Sequence, residues 1–185
     1  MSFSQPLRKV FLYLCLATLT QCSKCKRDDP LPQPPRDPLS LLPAETQTGQ
    51  RTFGCLLNGQ PWTQAGSPLG GPLLAAQYFN QQLTVSANRS TTVDGIRTVQ
   101  GIQININKSN SIGKYTLIDS TKNFVNVVDL VTACTFYTNA LHPATVEITR
   151  LDPVARIVSG RFAFTLETPR CGKIVVTDGR FDVKF

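Results

Sequence analysis

The 185-residue sequence predicts an all-β fold of about nine to eleven strands, an antiparallel β-sandwich with a closed or partly open β-barrel as the alternative. Three observations carry this. After residue 50, threonine, valine, isoleucine and asparagine are plentiful and glutamate is nearly absent, a balance that favours pleated strands over helices. Apolar and polar residues alternate with period 2, and no helical period persists over several turns. Turn signals recur at hairpin spacing, and the uneven strand lengths favour a sandwich over a barrel.

The chain begins differently. Arg8 and Lys9 precede an apolar run of ten residues, Val10 to Leu19, in the order of a secretory signal. Ten helical residues rise about 15 Å against roughly 30 Å of hydrocarbon, too short for a comfortable span. The following "LTQC", Leu19 to Cys22, resembles the lipobox of bacterial lipoproteins, with Gln21 where that family usually carries a small residue. The resemblance implies that residues 1–21 are a cleaved signal and that Cys22 receives a lipid, anchoring the chain to a bilayer. Cys22 and Cys25 also form a C-x-x-C pair. A redox pair needs a strand-to-helix setting and a zinc site needs further ligands, whereas proline-rich sequence follows and His142 is the only histidine.

Residues 22–50 are expected to be a disordered, lipid-anchored tether, since Lys26 to Gln50 carries six prolines in 25 residues with little apolar content. The "KRDD" at its start is similar to the lysine-plus-acid signals that send Bacteroidetes lipoproteins to the cell surface; a soluble tether start explains it equally well.

Residues 51–185 are expected to form one β-domain. "RTFGCLLNGQPWTQ" reads as a hairpin turning at Asn58 and Gly59, and "LAAQYFNQQLTVSANRS" as a second turning near Asn80 and Gln81. "GIRTVQGIQININKS" is a long strand with Ile102, Ile104 and Ile106 on one face, and a turn at "NSIG" leads to "KYTLIDS". "FVNVVDLVTACTFYT" reads as a strand or bent pair, and "ATVEITRLD" puts Val146 and Ile148 together. A type I turn at Asp152 to Ala155 leads into "RIVSGRFAFTLET", with Phe162, Phe164 and Leu166 inward and Gly160 marking a bulge. In "GRFDVKF", Phe181, Val183 and Phe185 face the core while Arg180, Asp182 and Lys184 face water.

With "TFGCLLNGQPW", "ITRLDPVARIVSGRFAFTLE" and "DGRFDVKF" in place, nearly the whole domain resembles a family of uncharacterised Bacteroidetes lipoproteins, most specifically in its C-terminal part. The resemblance implies a β-rich extracytoplasmic domain and brings no catalytic residue with it.

Three cysteines remain in the domain. Export permits disulfides, and a Cys134–Cys171 bridge would close a loop of 36 intervening residues, worth about 3 to 4 kcal/mol by chain entropy. Other pairings, and no bridge at all, stay open, and Cys55, in an apolar strand, reads as a buried free thiol.

No catalytic residue, metal or cofactor is assigned. His142 in "ALHPA" reads as a surface-loop residue, and no G-x-S-x-G elbow accompanies it. Asp178 and Asp182, four apart, could flank a glycosidic bond, but Asp182 reads more simply as the water-facing neighbour of Arg180 and Lys184. "GSPLGG" lacks the lysine and helix of a phosphate loop. The "NRS" at Asn88 and "NKS" at Asn107 fit the N-glycosylation triplet, which bacterial export makes irrelevant. "DST" at Asp119 to Thr121 resembles the O-glycosylation acceptor of Bacteroidetes and would modify Ser120. The formal charge of +7 falls to +5 without Arg8 and Lys9 and is spread thinly, so a nucleic-acid partner is not expected.

The expectation is therefore a lipid-anchored protein of the cell envelope, at the outer membrane, acting as a non-catalytic binding or structural module for a protein or glycan ligand. Trp62, Tyr78 and Tyr137 are candidate ligand contacts, each also explicable as core. The alternatives are a hydrolase of surface polymers, marked by carboxylates converging in a cleft, and an envelope-assembly accessory, marked by an exposed strand edge.

Overall fold

In the computed structural model, described for residues 37–66, 71–93 and 95–185, two sheets pack face to face without closing into a barrel. The described residues form twelve strands: β1 (Thr52–Leu57), β2 (Gln60–Thr63), β3 (Ala65–Gly66), β4 (Leu74–Phe79), β5 (Gln82–Val93), β6 (Ile96–Ile106), β7 (Gly113–Leu117), β8 (Phe124–Asp129), β9 (Cys134–Tyr137), β10 (Ala144–Asp152), β11 (Ile157–Thr168) and β12 (Gly172–Lys184). The first sheet runs β2-β1-β12-β11-β10-β7. In the second, β5 is flanked on one side by β4 and β3 and on the other by β6, followed by β8 and β9. Twelve strands exceed the expected nine to eleven; β3, a two-residue parallel bridge to Arg89 and Ser90, is too short to leave a pattern in the sequence.

Local chemistry explains the turns. Asn58 and Gly59 have φ of 51° and 77°, and Asn80 and Gln81 have φ of 49° and 62°, so both two-residue hairpins use positive φ, which matches the twist of their strands. Alternation explains the core. Ile102, Ile104 and Ile106 of the second sheet face Val146 and Ile148 of the first, none more than 1% exposed. The irregularity expected at Gly160 lies across from it, where the β10–β11 register shifts between Ile148 and Arg150.

The tripeptide Gly-Arg-Phe occurs twice, at 160–162 and 179–181, and the two copies pair antiparallel in β11 and β12. Gly160 faces Phe181, Arg161 faces Arg180 and Phe162 faces Gly179. Each ring lies over the opposite glycine: a Cβ on Gly179 would come within 2.4 Å of the Phe162 ring, and one on Gly160 within 2.6 Å of Phe181. Phe53 completes the cluster, its ring centroid 5.0 Å from Phe162 and 6.5 Å from Phe181. The same register sets two arginines side by side on the outer face, which is unfavourable unless an anion joins them.

The chain supplies that anion from the segment read as tether. After a 3-10 turn at Pro38–Leu41, residues 42–50 run across the outer face of the first sheet. Pro43 fits against Gly54, where any Cβ would stand 2.6 Å from the proline ring. Glu45 grips Arg161 with both oxygens, at 2.6 to 3.0 Å, and Arg180 donates to the Pro43 carbonyl. Arg161 accordingly holds the Glu45 carboxyl below its ordinary range, with a smaller contribution from Arg180.

Asp182 fastens the strap. Its carboxylate accepts from the Thr46 hydroxyl at 2.6 Å, from the backbone amides of Thr48, Gly49 and Gln50 at 2.8 to 3.1 Å, and from the Ser159 hydroxyl at 2.7 Å. Asp182 is 1% exposed and is not the water-facing residue that alternation predicts. Burial alone would raise its pKa, but the hydroxyls of Thr46 and Ser159 and the amides of Gln50 and Gly49 outweigh that and lower it from 3.8 to about 2. The folded unit therefore starts before residue 51, and the expected tether ends short of 50. Proline density marks the strap as extended, whereas its partners, distant in sequence, decide that it is docked.

The lowered pKa fixes the sign of the acid response. Asp182 contributes fully above its unfolded value near 3.8, and the contribution is lost as pH falls through about 2. In urea unfolding at neutral pH, Asp182→Asn is expected to cost about 2 to 4 kcal/mol. Its stability should also vary less between about pH 4 and pH 2 than the parent's; an unchanged midpoint would show that this carboxylate does not hold the strap.

Candidate functional site

The two outer faces differ. The first sheet's carries charge and lies under the strap, while the second sheet's is open. Because side chains alternate, residues that flank the buried positions of β4, β5, β6, β8 and β9 stand in cross-strand rows on that open face. One row runs Ala75, Ser86, Gln103, Asn126 and Tyr137 through the register of all five strands. A second runs Gln77, Thr84, Asn105 and Phe124, and a third Asn88, Gly101, Val128 and Thr135. None of these residues is an acid or a base, and most carry an amide or a hydroxyl.

The middle of this surface is a shallow depression of about 240 Å³, over Gly101 and bounded by the polar Ser86, Asn88, Gln103 and Asn126 and by the apolar Val99, Val128 and Leu130. Asn88 is held at its rim by donating to the Pro72 carbonyl at 3.1 Å. Asn126 Oδ1 is shielded from solvent and meets no hydrogen-bond donor among the described residues, which costs free energy unless something else donates to it. Tyr137, directly across the β8–β9 ladder, is 42% exposed and leans on Phe124 with centroids 6.2 Å apart. Asn105 is committed to the fold: its Oδ1 accepts from Gln82 and Thr84 and its Nδ2 donates to the Lys122 carbonyl.

Of the three aromatic residues singled out in the sequence, only Tyr137 belongs to this face. Trp62 is 3% exposed between the sheets and donates to Oε1 of Gln100, whose Nε2 in turn donates to Asp129 Oδ2. Tyr78 packs on Phe185 and donates to the Ser109 carbonyl.

Asp178 and Asp182 form no catalytic pair: Asp182 is enclosed by the strap, and Asp178 lies exposed at a positive-φ position where the β12 register shifts. His142 lies in the loop before β10, with Nε2 3.8 Å from Glu167. Ser120 is exposed between β7 and β8, where Asp119 accepts from the amides of Thr121, Lys122 and Asn123 and shapes the turn. Among the described residues no three potential metal ligands cluster. Cys22 lies outside the described residues, as do the signal and the first part of the tether.

Cys134 and Cys171 form a disulfide with an S–S distance of 2.06 Å, joining the start of β9 in the second sheet to the β11–β12 turn of the first. Cys55 is a buried free thiol, its pKa pushed up to about 12 by burial. Replacing Cys134 and Cys171 together by serine is expected to cost about 2 to 5 kcal/mol in denaturant unfolding, and adding reductant to the parent should give a comparable loss. No loss by either route would mean that the bridge does not constrain the sheets.

The amide rows escape a sequence reading that sorts strand positions only into dry and wet. Their signal is compositional: the wet positions of "GIQININ" and "FVNVVD" hold Asn and Gln where a plain solvated face would carry Lys and Glu. Stability measurements separate the two faces of β9. Phe136→Ala is expected to cost about 3 to 5 kcal/mol, and Tyr137→Ala less than about 1 kcal/mol; equal losses would make Tyr137 structural and remove it from the site.

Compared with known sequences, residues 75–182 match the family described as a domain of unknown function, DUF6252. No curated protein and no solved structure matches the chain.

Proposed function

The chain belongs to the DUF6252 family of domains of unknown function, and we propose that it is a non-catalytic binding module of the cell envelope, lipid-anchored through Cys22 and carried on the proline-rich stretch before the strap. The observation that carries the binding role is the asymmetry of the sandwich. One outer face is crossed in part by the chain's own strap, while the other presents an uncharged array of amides and hydroxyls around a depression lined also by Val99, Val128 and Leu130, with no donor to Asn126 Oδ1 among the described residues. Surface that needs no such array for folding is where a ligand contact fits best.

The envelope location draws support from the N-terminal pattern of two basic residues, ten apolar residues and "LTQC". The Cys134–Cys171 bridge agrees with an oxidising compartment. Lipid on Cys22 would leave Cys25 without a partner and make the bilayer the protein's first binding partner.

Membrane fractionation tests the anchor. The parent chain is expected in the membrane fraction, with its N-terminal peptide carrying an acylated Cys22, and Cys22→Ser is expected to shift the protein into the soluble fraction. Mass spectrometry that finds an unmodified Cys22, or a chain still beginning at Met1, would overturn it.

A further inference from the structure

Resting on the reading of the second sheet's open face as the ligand face, we propose that its ligand is an uncharged glycan, laid across the strands along the row from Ser86 to Tyr137. The row crosses β5, β6, β8 and β9, and at about 4.8 Å between strands its four residues span roughly 14 Å, the scale of a short oligosaccharide segment.

The chemistry of the row matches a sugar at each point. A pyranose offers hydroxyls that both donate and accept, and amides answer both from one side chain. Gln103 and Asn126 face each other directly in the β6–β8 ladder, with Ser86 next to Gln103. Asn126 Oδ1 lacks a donor among the described residues, and with the side chain turned outward a ligand hydroxyl would supply one. The less polar face of a sugar ring packs on an aromatic surface, and Tyr137, 42% exposed, stands beside Asn126. Gly101 leaves the depression open beneath the row.

The same observations argue against other occupants. An acidic polymer calls for arginine or lysine, and these rows contain neither. A peptide that adds as a strand binds at a sheet edge through its main chain, whereas the row lies on a face whose backbone groups are already paired in the ladders.

The experiment uses the full chain as purified, on an array of neutral and acidic glycans and extended peptides, followed by calorimetric titration with the glycan bound. The result expected is binding to a neutral glycan, with a Kd that changes less than about twofold between low and high salt. Tyr137→Ala and Asn126→Ala should each weaken it at least about tenfold, Tyr137→Phe should restore most of it, and all three variants should melt close to the parent. Gln103→Ala provides a second test of the row should Asn126→Ala unfold, and should likewise weaken binding.

Binding confined to acidic glycans and weakened steeply by salt would overturn the proposal, as would neutral-glycan binding indifferent to both Tyr137 and the amide row. A dimer that buries the face would overturn it too. If extended peptides bind at Tyr137 and no glycan does, the ligand class is wrong and the binding-module reading stands. If nothing on the array binds, both fail, while the anchor is judged separately by the fate of Cys22.

Discussion

The carboxylate of Asp182 is the group on which the arrangement of this domain depends. A buried anion needs several donors at once, and the sheet alone offers only the Ser159 hydroxyl. The remaining four come from Thr46 and the successive amides of Thr48, Gly49 and Gln50, so a segment more than 130 residues away in sequence must bend around it. Three consecutive amides turned toward one charge form an anion-holding concavity of the kind that backbone makes wherever a glycine permits positive φ, and Gly49 has φ of 76°. Leu42 and Pro43 bury apolar surface at the start of the strap, and beyond them polar satisfaction holds it.

Fastening the strap settles a second conflict. The paired Gly-Arg-Phe tripeptides gain ring-over-glycine packing inside only in the register that sets Arg161 against Arg180 outside. Glu45 reaches that pair because the strap runs along the sheet, and Glu147 approaches Arg161 from β10 at 3.9 Å. Inner packing, outer charge and the path of the N-terminal segment are thus one linked problem. The repair is exposed and screened, so it contributes little to stability by itself; it makes the register tolerable, and the aromatic cluster makes it favourable.

The strands and their inward faces were legible because period-2 alternation reports burial on one side of a sheet, and the Asn58–Gly59 and Asn80–Gln81 turns carry their own chemistry. The same rule misplaced Asp182. Alternation assigns every outward position to water, and no local pattern says that residues 46–50 will cover position 182. Proline content likewise read the strap as free tether, since the partners that dock it lie on β11 and β12. On the second sheet alternation was right about direction and silent about role: Gln103 and Asn126 read as wet positions, and only the register shows that they form a row with Tyr137.

The two sheets share a core and differ in what lies on their outer surfaces. The N-terminal segment lies on the first sheet, with Leu42 buried and hydrogen bonds running to Asp182 and Arg161. The amide rows lie on the opposite side, with both sheets and the Cys134–Cys171 bridge that ties one to the other between them and the strap. Placing the strap opposite leaves the face of the second sheet free of residues 42–50.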